Sequence, residues 1–361
     1  MEHSFLSHAD AALRNRNNIL HFIKKHQPLS RTDIWEAMNI SRASVTQVIR
    51  QLQESGLVSE TGLGQSTGGR KPQYLTFNGS GKRFFAFDWL TRQLSLLDLD
   101  GRVLCEAPIT LDRPLQPTAF AAALAAQVQT MSAQHPCPDA DMVGLCLALP
   151  GLIDCRSGRV IYSVELGWQD VPITTLLQQT LGMDVFAERI ANVMALGCGT
   201  LEDIKSATHF QLFLLGSDGI GVCSVFRGSC QHGANYMHGE LGHIKTGEDV
   251  LCSCGQTGCL EAVVNDRMLR SGGIITDEVL ELLSIGIAAS INLSDPSCVM
   301  LVGSYINQLT PAQQERLTQA VRSKVTGPHL RRLELHFSDR TKQLSLSGMC
   351  AYAFDRHFSL D

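Results

Sequence analysis

The sequence predicts an α/β protein in two parts: a small head built as a winged helix-turn-helix, and a larger, two-lobed body whose halves repeat one plan of strands and helices. Three observations predict it. Residues 1–83 hold three short amphipathic helical patterns, then two β-like runs around a Gly-rich basic loop. From residue 84 the pattern changes to alternating β-rich runs, and a strand, turn, strand, turn unit occurs twice, at 84–110 and 209–228. Charge divides at the same place, with eleven Lys and Arg against six Asp and Glu up to residue 83 and 19 against 29 beyond it. A basic head on an acidic body implies that only the head approaches a polyanion.

The chain of 361 residues has room for two or three domains, and 44% hydrophobic with 18% charged residues excludes disordered, collagenous and coiled-coil classes. No apolar run reaches the roughly 18 residues of a membrane span. The opening fourteen residues lack the charged-then-apolar layout of a secretory signal, so the expectation is a cytoplasmic protein with no membrane insertion. In that compartment the twelve Cys read as thiols or metal ligands rather than disulfides.

In the head, Leu13, Ile19, Leu20 and Ile23 form the stripe of a helix over 13–25, with Arg14, Arg16, Lys24 and Lys25 outside it. Ser30 with Asp33 three residues on marks the start of a second, two-turn helix buried through Ile34, Ala37 and Met38. Ser41 caps a third over 42–55, with Val45, Val48, Ile49 and Leu52 inward and Gly56 as its stop. A short helix, a tight turn and a longer helix with a polar free face make a helix-turn-helix, whose second helix enters the DNA major groove. Its outward set is Arg42, Ser44, Thr46, Gln47 and Arg50. Arg bonds guanine bidentately, Gln does the same to adenine, and Ser and Thr suit phosphates or base edges. Short strands at 57–58 and 74–77 flank a wing in which Gly69 allows close backbone approach and Arg70 and Lys71 supply two cations for a phosphate backbone.

In the body, strands are expected at 84–88, 93–98 and 103–110, then a helix at 117–134 and a buried strand at 141–149. The second copy has strands at 209–215 and 222–226, a helix at 278–291 and a strand at 298–302. That plan is a duplicated fold with lobes of about 84–195 and 196–361 and a cleft between them. The sharpest cluster lies in Gly239-Glu240-Leu241-Gly242-His243 and Cys252-Ser253-Cys254-Gly255-Gln256-Thr257-Gly258-Cys259-Leu260-Glu261. His243, Cys252, Cys254 and Cys259 supply a tetrahedral N/S₃ set that suits zinc, and four protein ligands imply a structural ion. The other nine Cys are expected to pack as small hydrophobes.

With these motifs the whole chain resembles the ROK family of repressors and sugar kinases, and its repressor branch in particular. The resemblance rests on the wing Ser66-Thr67-Gly68-Gly69-Arg70-Lys71-Pro72, on Pro150-Gly151 after a strand, and on the Gly-Glu-x-Gly-His and Cys-x-Cys-Gly-x-x-Gly-Cys-x-Glu signature. It implies a sugar-kinase/actin-like body, zinc on the His and three Cys, and a sugar pocket lined by Glu240, His243 and Glu261, whose polar atoms orient vicinal hydroxyls.

The kinase motifs of the family are altered. Where kinases hold ATP phosphates in a small Asp-x-Gly-x-Thr turn, this chain has Asp88-Trp89-Leu90-Thr91-Arg92. Where they carry Glu-Asn-Asp-x-Asn, with Asp as general base, it has Glu188-Arg189-Ile190-Ala191-Asn192, and Ile190 accepts no proton. The second phosphate loop holds Asp218 in a Thr position, and the adenosine-side Gly-Gly is Gly303-Ser304. The expectation is therefore a regulator rather than an enzyme: a sugar-responsive DNA-binding repressor, dimeric or tetrameric on a palindromic double-stranded operator. Arg189 at the cleft floor is expected to receive an anionic effector such as a sugar phosphate, unless it pairs with Glu188 or Asp184. Two alternatives stand beside it, a sugar kinase with a DNA-binding head and a regulator controlled by a protein partner. The connection over 265–276 is shorter than usual for the family.

Overall fold

The computed structural model describes residues 8–63, 73–111, 115–201, 204, 207–329 and 333–359. The head runs α1 (His8–His26), β1 (Leu29–Ser30), α2 (Arg31–Met38), α3 (Arg42–Glu54), β2 (Val58–Leu63) and β3 (Gln73–Phe77). Ser30 and Asp33 close a reciprocal capping box at the start of α2, with the Ser30 hydroxyl accepting from the Asp33 amide at 3.2 Å and the Asp33 carboxylate from the Ser30 amide at 2.8 Å. Ser41 caps α3 through the Ser44 amide at 3.1 Å. Ile34, Val45, Ile49 and Leu52 are fully buried with Ile19, Leu20 and Ile23 of α1, which holds the two helices of the motif at a fixed angle. β1 pairs with β3 to complete a three-stranded sheet. Two residues are too few to show alternation, so this strand left no trace in the sequence pattern. The wing tip with Gly69, Arg70 and Lys71 lies outside the described residues.

The first lobe is β4 (Arg83–Asp88), β5 (Gln93–Asp98), β6 (Val103–Pro108), α4 (Pro117–Gln134), β7 (Met142–Leu149), β8 (Leu152–Asp154), β9 (Arg159–Ser163), β10 (Trp168–Val171), α5 (Ile173–Leu181), β11 (Val185–Arg189) and α6 (Ile190–Cys198). β4, β5 and β6 form an antiparallel meander, and β7 and β11 add parallel to β4 on its other side. Phe84, Phe85, Phe87, Leu94, Leu96 and Leu97 are all buried, so both faces of this sheet are covered, which is why β4 reads as a nearly continuous apolar run. β8, β9 and β10 form a separate antiparallel sheet.

The second lobe is β12 (His209–Gly216), β13 (Gly219–Phe226), β14 (Ser229–Cys230), α7 (Leu260–Arg270), α8 (Asp277–Ser294), β15 (Cys298–Val302), α9 (Pro311–Lys324) and β16 (Glu334–Phe337), and α10 (Thr341–His357) ends the chain. Its sheet repeats the first one strand for strand: an antiparallel meander β12–β14, then β15 and β16 parallel to β12. The link between α7 and α8 is brief, as expected.

The second lobe, expected to reach the C-terminus, ends before α10, which crosses back and packs on α6 and β7 of the first lobe. The cause is its apolar face, since Leu344, Met349, Ala353 and Phe354 join the same buried core as Phe84 and Ile19. Two glycines permit the approach: a Cβ at Gly348 would stand 1.7 Å from the Val193 carbonyl oxygen, and one at Gly197 2.0 Å from that of Leu344. The far end of α10 meets α1. His21 Nε2 donates to the Phe358 carbonyl at 2.8 Å, Asn17 donates to that of Ser359 at 3.0 Å, and the Lys24 ammonium lies 3.6 Å from the Phe354 ring centroid. Head, first lobe and α10 thus share one continuous core.

Candidate functional site

Two surfaces carry the chemistry. On α3, Arg42, Ser44, Thr46, Gln47 and Arg50 are all exposed. The Arg42 guanidinium stacks 3.7 Å from the Trp35 ring centroid, which fixes it between α2 and α3. Thr46 Oγ1 donates to the Arg42 carbonyl at 2.8 Å, and Arg50 sits 3.6 Å from Glu54 one turn on. The face is therefore pre-set by local contacts at its ends, with Gln47 projecting between them.

The second surface is the cleft, where the end of β11 faces the loop after β14. Arg189 caps α6 from the strand side and is only 8% exposed. Its guanidinium donates to Glu240 Oε1 at 2.5 Å and to the His238 carbonyl at 2.6 Å. The expected pairing of Arg189 is corrected here: its partner is neither Glu188 nor Asp184 but Glu240 of the other lobe. Glu188 turns the other way, accepting from the Arg189 amide at 2.8 Å and from Asn192 at 2.9 Å, and meeting His232 Nε2 at 2.7 Å.

Glu240 is delivered by Gly239, which has φ +88° and whose added Cβ would stand 1.9 Å from the Val222 carbonyl oxygen, so only glycine lets this loop lie against β13. Glu240 Oε2 lies 3.5 Å from His243 Nε2, while the other ring nitrogen, Nδ1, lies 3.8 Å from Cys252 Sγ. The two ring nitrogens of His243 thus face different partners, Nε2 the Glu240 carboxylate and Nδ1 the Cys252 thiol. Cys254 Sγ lies 3.7 Å from Cys259 Sγ, and the donor atoms of His243, Cys252, Cys254 and Cys259 all fall within 4.8 Å of one another. The Cys252 amide donates to the Gln256 carbonyl at 2.7 Å, which pins the loop that presents them. Lys245 Nζ approaches Cys259 Sγ at 3.2 Å. Burial foremost pushes the Cys252 thiol up to about 12. Cys254 is held below its ordinary value, because hydrogen bonds from the Gln256 backbone and the neighbouring thiols outweigh burial. Glu261 joins this cluster to β13: Oε2 accepts from the Ile220 amide at 3.2 Å and Oε1 faces Cys252 Sγ at 3.7 Å.

The altered kinase positions have structural consequences. Trp89 is 2% exposed and fills the β4–β5 turn, its indole N–H donating to Glu165 and its ring covered by Arg92 at 3.0 Å. Asp88 is buried beneath it, with its carboxyl raised by that burial despite accepting from the Leu90 amide at 3.0 Å. Ile190 is buried in the first turn of α6. In the second lobe Ser304 accepts from the Ser217 amide at 3.3 Å, while Asp218 is exposed.

Sequence reasoning assigned Cys155 to core packing, but it is half-buried beside Glu188 and His232, and the donor atoms of these three residues also lie within 4.8 Å of one another. Hydrogen bonding to Cys155 first and to Glu188 second holds the His232 imidazole up to about 10. The three are far apart in the chain, so no spacing announced them.

Comparison with known proteins bears on both surfaces. The ROK family model matches residues 92–272, and the MarR family model matches residues 14–61. A xylose repressor of Bacillus subtilis is 24% identical over 371 residues, covering 95% of each chain. The DNA-binding transcriptional dual regulator NagC of Escherichia coli is 28% identical over 292 residues, which span 78% of this chain and 68% of NagC. Among solved structures, a ROK family transcriptional regulator homologous to the E. coli MLC protein superposes with a TM-score of 0.77 at 21% identity over 97% of this chain and 98% of its own. A ROK hexokinase from Thermus thermophilus superposes with a TM-score of 0.58 at 22% identity, covering 75% of this chain and 97% of the kinase. The body alone is thus the part shared with the kinase, the head is of MarR type, and the chain belongs to the ROK family.

Proposed function

We propose that the chain is a DNA-binding transcriptional repressor released by a neutral sugar held in the cleft of a kinase-like domain that no longer phosphorylates. The observation that carries this is that the helix exposing Arg42, Ser44, Thr46, Gln47 and Arg50 is built into the same buried core as the ROK body. The names of the relatives, xylose repressor and NagC among them, support it.

Catalysis is disfavoured on two grounds. Ile190 takes no proton, and a missing general base typically costs about 10²–10⁴ in rate. Trp89 fills the turn a phosphate would enter. The cleft keeps Glu240 and the Nε2 side of His243 for hydroxyl groups, and the balanced Arg189–Glu240 pair favours a neutral polyol over a phosphate. Glu261 then acts by bracing the Ile220 amide and the Cys252 loop rather than by touching sugar.

The His243, Cys252, Cys254 and Cys259 donors fit a zinc ion, with N/S₃ chemistry gathered in one place and Lys245 beside Cys259 to offset thiolate charge. Bound there, zinc would supply a structural cross-link of the loop that carries Glu240. Arg70 and Lys71, with Gly69, would grip the phosphate backbone from the wing. The protein would act in the cytoplasm as a homodimer or homotetramer on a palindromic operator, whose half-sites mirror a protein two-fold axis.

Coupling follows the packing. Sugar bound against Glu240 displaces or tightens its pair with Arg189, the cap of α6. Next, α6 is interlocked with α10 through Gly197 and Gly348, and α10 ends against His21 and Lys24 of α1. The sugar shifts DNA affinity only as far as it binds one of these arrangements better than the other.

The test is binding of the full-length protein to fragments of its own upstream region at fixed salt, titrated with matched neutral and phosphorylated sugars. Selective binding released by a neutral sugar is expected. Release by the phosphorylated partner alone would overturn the neutral-ligand reading, and binding that no sugar releases would move control to a protein partner.

A further inference from the structure

We propose that Cys155, Glu188 and His232 form a second metal site, for a zinc-class divalent cation, that ties the two lobes together across the cleft floor. The inference stands apart from the regulatory reading, because it rests on the donors alone.

Each ligand comes from a different strand end. Cys155 follows β8 in a turn fixed by Asp154, whose carboxylate accepts from the Arg156 amide at 2.9 Å, the Ser157 amide at 3.2 Å and the Ser157 hydroxyl at 2.6 Å. Glu188 is the penultimate residue of β11, with its side chain only 3% exposed. His232 follows β14 in the second lobe, its ring edge-on to Tyr236 at 6.1 Å. One thiol, one carboxylate and one imidazole make the mixed S/O/N set that a borderline cation accepts, and three protein ligands leave a fourth position for water or a ligand.

The geometry is close to what coordination needs. Zinc bonds of about 2.0–2.3 Å place neighbouring donors about 3.3–3.8 Å apart in a tetrahedron. Here the Glu188–His232 contact of 2.7 Å must open slightly, and no donor pair exceeds 4.8 Å. The outer support that metal ligands require is present, since Oε1 of Glu188 is held by Asn192 at 2.9 Å, leaving Oε2 for the ion. Cys155 also lines a cavity of about 340 Å³. The residue after Glu188 is Arg189, so an ion here would hold the strand end from which the Arg189–Glu240 pair is made.

The test is metal content of the full-length protein after loading with zinc and removal of excess, read beside the thiolate-to-cobalt absorption of the cobalt-loaded form. Two equivalents are expected for the parent chain, one for Cys155→Ser, one for His232→Gln and one for Cys254→Ser, with none in the Cys155→Ser/Cys254→Ser double variant. Zinc should also raise the melting temperature of Cys254→Ser but not of the double variant, which separates binding at this site from binding at the other cluster. One equivalent in the parent chain that Cys155→Ser leaves untouched would overturn the proposal and leave the trio as a hydrogen-bonded network only. A Cys254→Ser variant that holds no metal at all would do the same.

Discussion

The two lobes share a sheet order but not the side chains at their turns and helix ends. In the first, the opening hairpin ends in Trp89, Leu90 and Arg92, closed over by Glu165. In the second, the matching hairpin ends in a turn between Gly216 and Gly219, with Ser217 and Asp218 at its surface. The first lobe shares its core with the head and α10, whereas α7, α8 and α9 of the second lobe pack in a separate cluster on the outer face of its sheet. The second lobe instead carries the loop with Glu240 and the candidate metal-ligand set. Duplication therefore supplies the architecture, and the side chains at turns and helix ends make the halves different; on the proposed function these become a transmitting half and a sensing half, with α6 between them.

The largest expected effect breaks the transmitting half. Gly348→Val puts a branched side chain where even a Cβ meets the Val193 carbonyl, so α10 must lift from α6. We expect a loss of about 3 kcal/mol or more in denaturant unfolding. Gly81→Ala is the control, since nothing lies within 4 Å of that Cβ, and it should shift stability by less than about 0.5 kcal/mol. Breaking the sensing half is expected to look different. Cys259→Ser should release one metal equivalent and abolish the sugar response, while DNA affinity without sugar stays within about two-fold; a joint loss of both would mean that the halves are not separable.

A third substitution sharpens the contrast from the head. Arg50→Ala removes an exposed α3 cation whose partner among the described residues is the exposed Glu54, and should weaken operator binding by about 1–3 kcal/mol with no change in sugar affinity by calorimetry. The smallest effect is at the junction. The Lys24 ammonium is buried and has no hydrogen-bond partner among the described residues, resting on Phe354 instead. Lys24→Met keeps the stem and removes the charge, so the lost cation–π attraction and the relieved desolvation nearly cancel, and stability should move by no more than about 1 kcal/mol. The sugar concentration needed for half-release of DNA should nevertheless shift, because the contact between α10 and α1 has changed.

Much of the fold was legible because its signals are local. Ser30 with Asp33, and Ser41 before Val45 and Ile49, marked both helices of the head, and paired hydrophobic runs marked the duplicated sheets. The gathering of His243, Cys252, Cys254 and Cys259 was equally plain, since they lie within one short stretch. What stayed hidden depends on where distant segments meet. The return of α10 to the first lobe turns on Gly197 and Gly348 facing each other, which neither position shows alone. The Arg189–Glu240 pair is hidden for a related reason: its two members are 51 residues apart and come from opposite lobes, so no local spacing signals it. The trio of Cys155, Glu188 and His232 likewise exists only once three strand ends converge.

The claim that the cleft speaks to the DNA-binding head through α6, α10 and α1 is tested most directly by amide hydrogen exchange of the full-length protein, with and without the sugar that releases DNA. Altered exchange is predicted in α6, in the C-terminal turns of α10 and along the face of α1 that holds His21 and Lys24. Release of DNA with exchange changed only around Glu240 and His243, and unchanged in α10 and α1, would contradict it.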